Sequence, residues 1–110
     1  MANVLITGSE GQLGQVFVKK LLSLGHNIIG MGKSKQINKG IKYFALDLTN
    51  NKELVNAVEN ISNNIDILIN NAGISVFTPF EERTEEELDD VINVNLKSNI
   101  LITKLIFNKF

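Results

Sequence analysis

The sequence predicts an α/β protein in which a parallel sheet carries helices on both faces. Three observations predict it. Short apolar runs of strand character alternate with segments whose apolar residues recur at helical spacing, and the connections between them are short. The run Asp66 to Ile69 is almost wholly apolar, as suits a strand covered on both faces. A glycine-rich turn joins the first strand-like run to the first helix-like segment.

In chain order, Asn3 to Thr7 reads as a buried strand. Gln12 to Leu24 reads as a helix with Leu13, Val16, Phe17, Leu21 and Leu24 on its apolar face, and Gly25 marks its end. Asn27 to Met31 is a second strand. Gly32 to Gly40 is a polar, lysine-rich loop with room for a short helix, and Ile41 to Leu46 is a third strand. Asn50 or Asn51 caps a helix reaching about Ser62, with Leu54, Val55, Val58 and Ile61 inward. Asp66 to Ile69 is the fourth strand, and Ile74 to Pro79 is loop. Thr84 with Glu87 forms a capping box that opens a long helix toward the C-terminus. Residues 81–90 hold seven acidic side chains and one arginine, a solvated helix start.

Composition narrows the function. The chain has 110 residues, of which 44% are hydrophobic and 21% charged, which suits one globular domain with a buried core. A net charge of -1 gives no electrostatic attraction to nucleic acid or to an anionic membrane surface. With no cysteine and one histidine, disulfides, thiolate metal sites, a cysteine nucleophile and a multi-histidine metal site are all excluded, and no metal is expected. The N-terminus has no basic signal region, and no apolar stretch approaches the ~18 residues a membrane span needs. The cytoplasm is therefore the expected location.

Chemistry enters at Thr7-Gly8-Ser9-Glu10-Gly11-Gln12-Leu13-Gly14. A tight strand-to-helix turn needs glycine where φ is positive, and a phosphate approaches closely only where no Cβ intervenes. The helix N-terminus then offers free N–H groups and a favourable dipole to a pyrophosphate. In this position the turn points to dinucleotide binding. Gly32-Lys33-Ser34 ends like a nucleoside-triphosphate loop, but position 27, where that motif needs glycine, is Asn27.

Four landmarks together resemble the N-terminal half of a short-chain dehydrogenase/reductase: Thr7-Gly8 to Gly14, Asp47-Leu48-Thr49, Asn70-Asn71-Ala72-Gly73, and Val94-Asn95-Leu96-Lys97. The resemblance covers all 110 residues. It implies a Rossmann-like sheet, present only in part, with strand order 3-2-1-4. It also implies a nicotinamide cofactor held by the backbone of Gly8, Ser9, Gly11, Gln12, Leu13 and Gly14. By the same likeness Asp47 accepts from the adenine amino group with Leu48 beside the ring. Asn71, Ala72 and Gly73 line the ribose, and Asn95 holds a water in a proton relay. One departure stands out. The glycine spacing is T-G-x-x-G-x-x-G, that of the extended branch of the family, whereas the later landmarks match the compact branch.

Charge bears on which cofactor is used. The end of the second strand, where an acidic residue would bind the ribose diol of NAD, is Gly32, and Lys33, Ser34 and Lys35 follow it. Cations and a hydroxyl there favour a 2′-phosphate, hence NADP, with NAD as the alternative. Glu10 counts against this if it faces the phosphate.

The implied activity is hydride transfer between a nicotinamide and a carbonyl or alcohol substrate. Its proton donor in the family is a tyrosine with a lysine four residues later, assisted by a serine. The only tyrosine here is Tyr43, and Asp47 stands four residues after it. Tyr43 is therefore read as structural, His26 as merely exposed, and the chain as a truncated piece unable to catalyse alone and open to substrate only in a longer form. The fourth strand becomes an exposed edge, and the terminal helix carries Ile100, Leu101, Leu105, Ile106, Phe107 and Phe110. Both features imply homo-oligomers or aggregation. A non-catalytic nucleotide-binding module and a structural partner subunit are the alternatives.

Overall fold

The computed structural model describes residues 1–110. Its four strands are β1 (Asn3–Thr7), β2 (Asn27–Gly32), β3 (Lys42–Ala45) and β4 (Ile67–Ile69), all parallel in the order β3-β2-β1-β4. The expected strand order and direction are both present. The register sets Leu5 opposite Ile29 and Leu68, and Gly30 opposite Tyr43.

Alternation along the strands builds a core on each face. Val4, Ile6 and Ile28 pack with Val18 of helix α1 (Gln12–Ser23) on one side. Leu5, Ile29 and Met31 face the other side. There they meet Leu54, Ala57 and Val58 of α2 (Asn51–Glu59) and Ile102 and Ile106 of α4 (Ser98–Ile106). Leu5, Leu54, Ile102 and Ile106 are fully buried, each worth about 1.5–3 kcal/mol of transfer free energy. Asn50 is the cap of α2, its side chain accepting from Glu53 N at 3.2 Å. That helix stops at Glu59, short of Ser62, and Ile61 is buried just beyond it.

Several expectations need correction. The inward face of α1 is only partly the expected one: Phe17 and Leu21 pack against the core and Gly14 and Val18 are buried, whereas Leu13, Val16 and Leu24 are exposed. The cause is Gly14, which lies against the Gly8 carbonyl so closely that a Cβ there would overlap it. That contact sets the rotation of the helix. The segment from Lys33 to Ile41 contains no helix. His26 is half-buried, and its Nδ1 accepts from Ala2 N at 3.0 Å.

The long C-terminal helix starts as α3 (Glu85–Ile92), capped by Thr84, whose hydroxyl accepts from Glu87 N at 3.1 Å. Glu87 does not reach back to the Thr84 backbone. Its carboxylate takes the Thr78 hydroxyl at 2.7 Å instead, which ties the preceding loop to the helix. A π-helical turn, Asn93–Lys97, separates α3 from α4. The chain end is fastened by Lys109, whose carbonyl accepts from Ile65 N at 2.6 Å and whose Nζ donates to Ile61 O at 2.6 Å. Ile100 and Phe107 remain exposed, whereas Ile106 is wholly buried and Leu101 and Leu105 are half-buried. Ile67 on the β4 edge is also exposed. No helix is long and apolar enough to cross a membrane.

Candidate functional site

All four strands end at the same side of the molecule. Parallel pairing delivers their C-terminal ends to one crevice, at the point where the chain reverses direction across the sheet from β1-β2-β3 to β4. A cleft of about 380 Å³ opens there. Its floor is Gly8, Gly11 and Gly32; Lys33, Ser34 and Leu46 to Thr49 form one wall, and Ala72, Gly73 and Ile74 the other.

Gly8 makes the turn out of β1 with φ 67°, a conformation that favours glycine. Its N–H donates to Met31 O at 2.7 Å, and its carbonyl accepts from Gly11 N at 3.1 Å. A Cβ on Gly8 would lie 3.0 Å from Ala72 Cα, so the turn and the Asn71-Ala72 segment touch backbone to backbone. Thr7, fully buried, fixes that approach. Its Oγ1 accepts from Asn71 N at 3.1 Å and from Ala72 N at 3.0 Å, while Asn71 Nδ2 donates to Gly8 O at 3.1 Å. The Asn71 side chain is thus part of the frame of the cleft.

α1 begins at Gly11 with no side-chain cap and no acidic residue in its first turn. The first-turn N–H groups of Gln12, Leu13 and Gly14 therefore keep their donor capacity for an anion, and no carboxylate within that turn competes for them. Gln12 and Leu13 are exposed at this helix start. Ser9 contributes backbone only: its side chain is fully buried over Gly30, and its Oγ has no hydrogen-bond partner.

Asp47 holds an Asx turn. Its Oδ1 accepts from Thr49 N at 2.9 Å and Thr49 Oγ1 at 2.7 Å, and Lys33 Nζ stands 3.9 Å from Oδ2. The Thr49 bonds, side chain first and then backbone, hold the Asp47 carboxyl below its ordinary range, with Lys33 adding a smaller push. Apart from that ion pair Oδ2 has no hydrogen-bond partner, and it keeps capacity to accept from a ligand. Lys33 is exposed, so its ion pair adds little stability.

Asn95 sits in the middle of the π-helical turn, a distortion that recurs at functional sites. Its amide clamps the backbone of Ile74, with Oδ1 accepting from Ile74 N and Nδ2 donating to Ile74 O, both at 2.8 Å. Asn95 is exposed, as are its neighbours Ile92 and Leu96, and its side-chain amide is taken up by the loop after Gly73.

The structure gathers Gly8, Gly11, Lys33, Ser34, Asp47, Leu48, Ala72 and Gly73 around one cleft, with Asn71 and Asn95 bracing it from behind and beside. Ser9, Gln12, Leu13 and Gly14 reach it only through the turn and the helix start. Sequence reasoning missed Leu46, Thr49, Ile74, Asp90 and Val94 in the lining. Asp90 belongs to the acidic stretch read as wholly solvated, and only three-dimensional placement separates it from its neighbours.

A parallel sheet in this order, with a glycine turn and an uncapped helix start at the crevice, is part of a Rossmann-like fold. The family profile described as short chain dehydrogenase matches residues 2–110, and the chain belongs to that family. It is 33% identical over 108 residues to a 3-oxoacyl-[acyl-carrier-protein] reductase of Rickettsia bellii, covering 91% of this chain and 44% of that protein. A short-chain dehydrogenase of Leptospira borgpetersenii with bound NAD+ superposes with a TM-score of 0.88 at 38% identity, over 97% of this chain and 45% of that one. An NADPH-bound carbonyl reductase from chicken fatty liver shares the fold, with a TM-score of 0.86 at 19% identity over 97% of this chain and 50% of that one. The chain therefore spans roughly half the length of these proteins.

Proposed function

We propose that these residues form the cofactor-binding part of an NAD(P)-dependent oxidoreductase that transfers hydride between a nicotinamide and a carbonyl or alcohol. The observation that carries it is the cleft itself. Its backbone surfaces approach so closely at Gly8 and Ala72 that a Cβ would fill the space, and the uncapped start of α1 opens beside them. Such a cradle suits a pyrophosphate. The backbone from Gly8 to Gly14 holds that group. Asp47 accepts from the adenine amine through Oδ2, Leu48 packs beside the ring, and Ala72 and Gly73 border the ribose. The nicotinamide, when bound, supplies the hydride chemistry. Asn95 keeps the Ile74 loop closed beside it and occupies the proton-relay position.

NADP is the preferred cofactor in this reading, with NAD the alternative. Gly32 places no acidic group at the end of β2, and Lys33 and Ser34 line the cleft instead. Glu10, the main counterweight, is not among the residues lining the cleft, and its carboxylate is taken up by Asn38. Tyr43 donates to Ser34 O at 2.7 Å and serves structure, so the catalytic proton donor comes from residues outside these 110. The substrate is a small carbonyl or alcohol compound met by the longer enzyme in the cytoplasm.

Thermal unfolding with added dinucleotide tests this. A ligand at 100 times its Kd stabilises by about 2.7 kcal/mol, on the order of 10–20 °C for a domain of this size. NADP(H) is expected to raise the melting temperature more than NAD(H). No rise with either dinucleotide overturns the reading.

A further inference from the structure

The loop that carries Lys33, Ser34 and Lys35 is exposed along almost its whole length, and one residue departs from this. Asn38 is half-buried, whereas residues 33–37 and Lys39 and Gly40 are all exposed. It is held by the glycine turn. Its Nδ2 donates to Ser9 O at 2.9 Å and to Glu10 Oε2, and its backbone N–H donates to both Glu10 carboxylate oxygens, at 3.4 and 3.3 Å. Glu10 is 5% exposed and has no cationic partner. A buried carboxylate is costly unless hydrogen bonds satisfy it, so the bonds from Asn38 are what make its position tenable. On the other side of the same loop, Tyr43 Oη donates to Ser34 O at 2.7 Å. The stretch bearing the two lysines is thus fastened to the glycine turn at Asn38 and to β3 at Ser34. Ser9, whose buried Oγ is unpartnered, sits beneath this clasp in the space Gly30 leaves.

We propose that Glu10 and Asn38 are positioning residues that lock the Lys33–Lys35 loop against the glycine turn and so set how the protein discriminates a ribose 2′-phosphate from a ribose diol. The inference rests on the dinucleotide reading above. It gives Glu10 a role opposite to the one its charge suggests: its carboxylate orders the cationic loop rather than repelling the phosphate. Coupling also follows. The same Asn38 amide touches Ser9 O, so the pyrophosphate turn and the ribose loop move together.

The test uses the full chain, and the readout is built in, because Tyr43 is the only tyrosine and there is no tryptophan. Acrylamide quenching of its emission reports the anchoring of Ser34, and titrations with NADPH and NADH report discrimination. Asn38→Asp sets two carboxylates against each other. It is expected to raise the quenching constant and to lower the NADPH-to-NADH affinity ratio by roughly 5-fold, the worth of about one hydrogen bond. In Glu10→Gln/Asn38→Asp the amide and carboxylate exchange places, which restores one side-chain bond and is expected to recover part of both readouts. That recovery also separates the clasp from simple misfolding of the single variant. A wild type that binds both dinucleotides with variants that leave the ratio unchanged overturns this inference alone. Raised quenching with an unchanged ratio also overturns it, since the clasp would then order the loop without reading the cofactor. A wild type that binds neither dinucleotide overturns the cofactor reading and this inference together.

Discussion

Replacing Gly14 with alanine puts the packing of the cofactor cradle under direct strain. An added Cβ overlaps the Gly8 carbonyl oxygen and lies 2.8 Å from Gly8 C and 2.9 Å from Ser9 C. All three are backbone atoms, so no rotamer relieves the clash. Alanine gains up to about 1 kcal/mol of helix propensity over glycine, while overpacking a close contact costs about 1–3 kcal/mol and more where backbone must move. The expected net loss is about 1–2 kcal/mol, or roughly 5–15 °C in melting temperature for a domain of this size. Relief requires the start of α1 to swing away from Gly8. That displaces the Gln12 to Gly14 N–H groups and breaks the Gly11 N to Gly8 O bond of 3.1 Å. Dinucleotide affinity then falls by about tenfold or more, since a tenfold change needs only ~1.4 kcal/mol. Gly11→Ala is the control. Gly11 has φ -77° and an added Cβ meets only Gly8 O, at 3.4 Å. It is expected to keep the melting temperature while weakening binding, because Gly11 lines the cleft. Circular dichroism melts and calorimetric titration measure both quantities. A Gly14→Ala chain with wild-type stability and affinity refutes the reasoning.

Other substitutions address the remaining parts of the site. Asn95→Ala removes two 2.8 Å bonds to Ile74 and is expected to cost about 1–2 kcal/mol and to speed hydrogen exchange at the Ile74 amide; unchanged exchange there contradicts the clamp. Lys33→Glu leaves stability within about 0.5 kcal/mol, because its pair with Asp47 is exposed, yet it weakens NADPH roughly tenfold with little effect on NADH; equal loss for both cofactors removes the 2′-phosphate role. Thr49→Val deletes the hydroxyl that contributes most to lowering the Asp47 pKa. A depressed folded value means that Asp47 adds stability above its unfolded pKa, about 3.9, and loses it as pH falls through the folded value. The variant is expected to move the carboxyl titration upward by NMR, and an unmoved titration assigns the shift elsewhere. Tyr43 has the opposite sign. Burial, then Glu10, raises its pKa, so its contribution is complete below about pH 10 and fades as pH climbs toward the folded value; absorbance titration of the phenol checks this.

Sheet order and the location of the cleft were legible in the chain because they rest on local signals. Apolar runs, a glycine turn and short connections leave few parallel topologies. Asn50 and Thr84 marked their helix starts by side-chain chemistry that acts within three residues. The rotation of α1 was legible only in part: Phe17 and Leu21 do pack inward, but Leu13, Val16 and Leu24 do not. Leu13 and Val16 fit helical spacing as well as Val18 does, and the choice depends on Gly14 meeting Gly8 across the turn. The π-helical turn at Asn95 was hidden for a similar reason, since the bonds holding Asn95 come from Ile74, far away in sequence. Glu10 illustrates the limit of charge reasoning. Its sign was plain, but its direction is set by Asn38, which reaches it from a different loop. Asp90 shows the same limit on a helix, where one exposed residue of an acidic stretch also borders the cleft.

The most direct measurement is an NMR titration of the isotope-labelled chain with NADP+, following backbone amides. The account predicts saturable shifts at Gly8, Gly11 to Gly14, Gly32 to Ser34, Asp47, Leu48 and Ala72 to Ile74, with the opposite ends of the strands undisturbed. Absence of saturable shifts, or shifts gathered on the far face of α1, would contradict the assignment of this cleft to the cofactor.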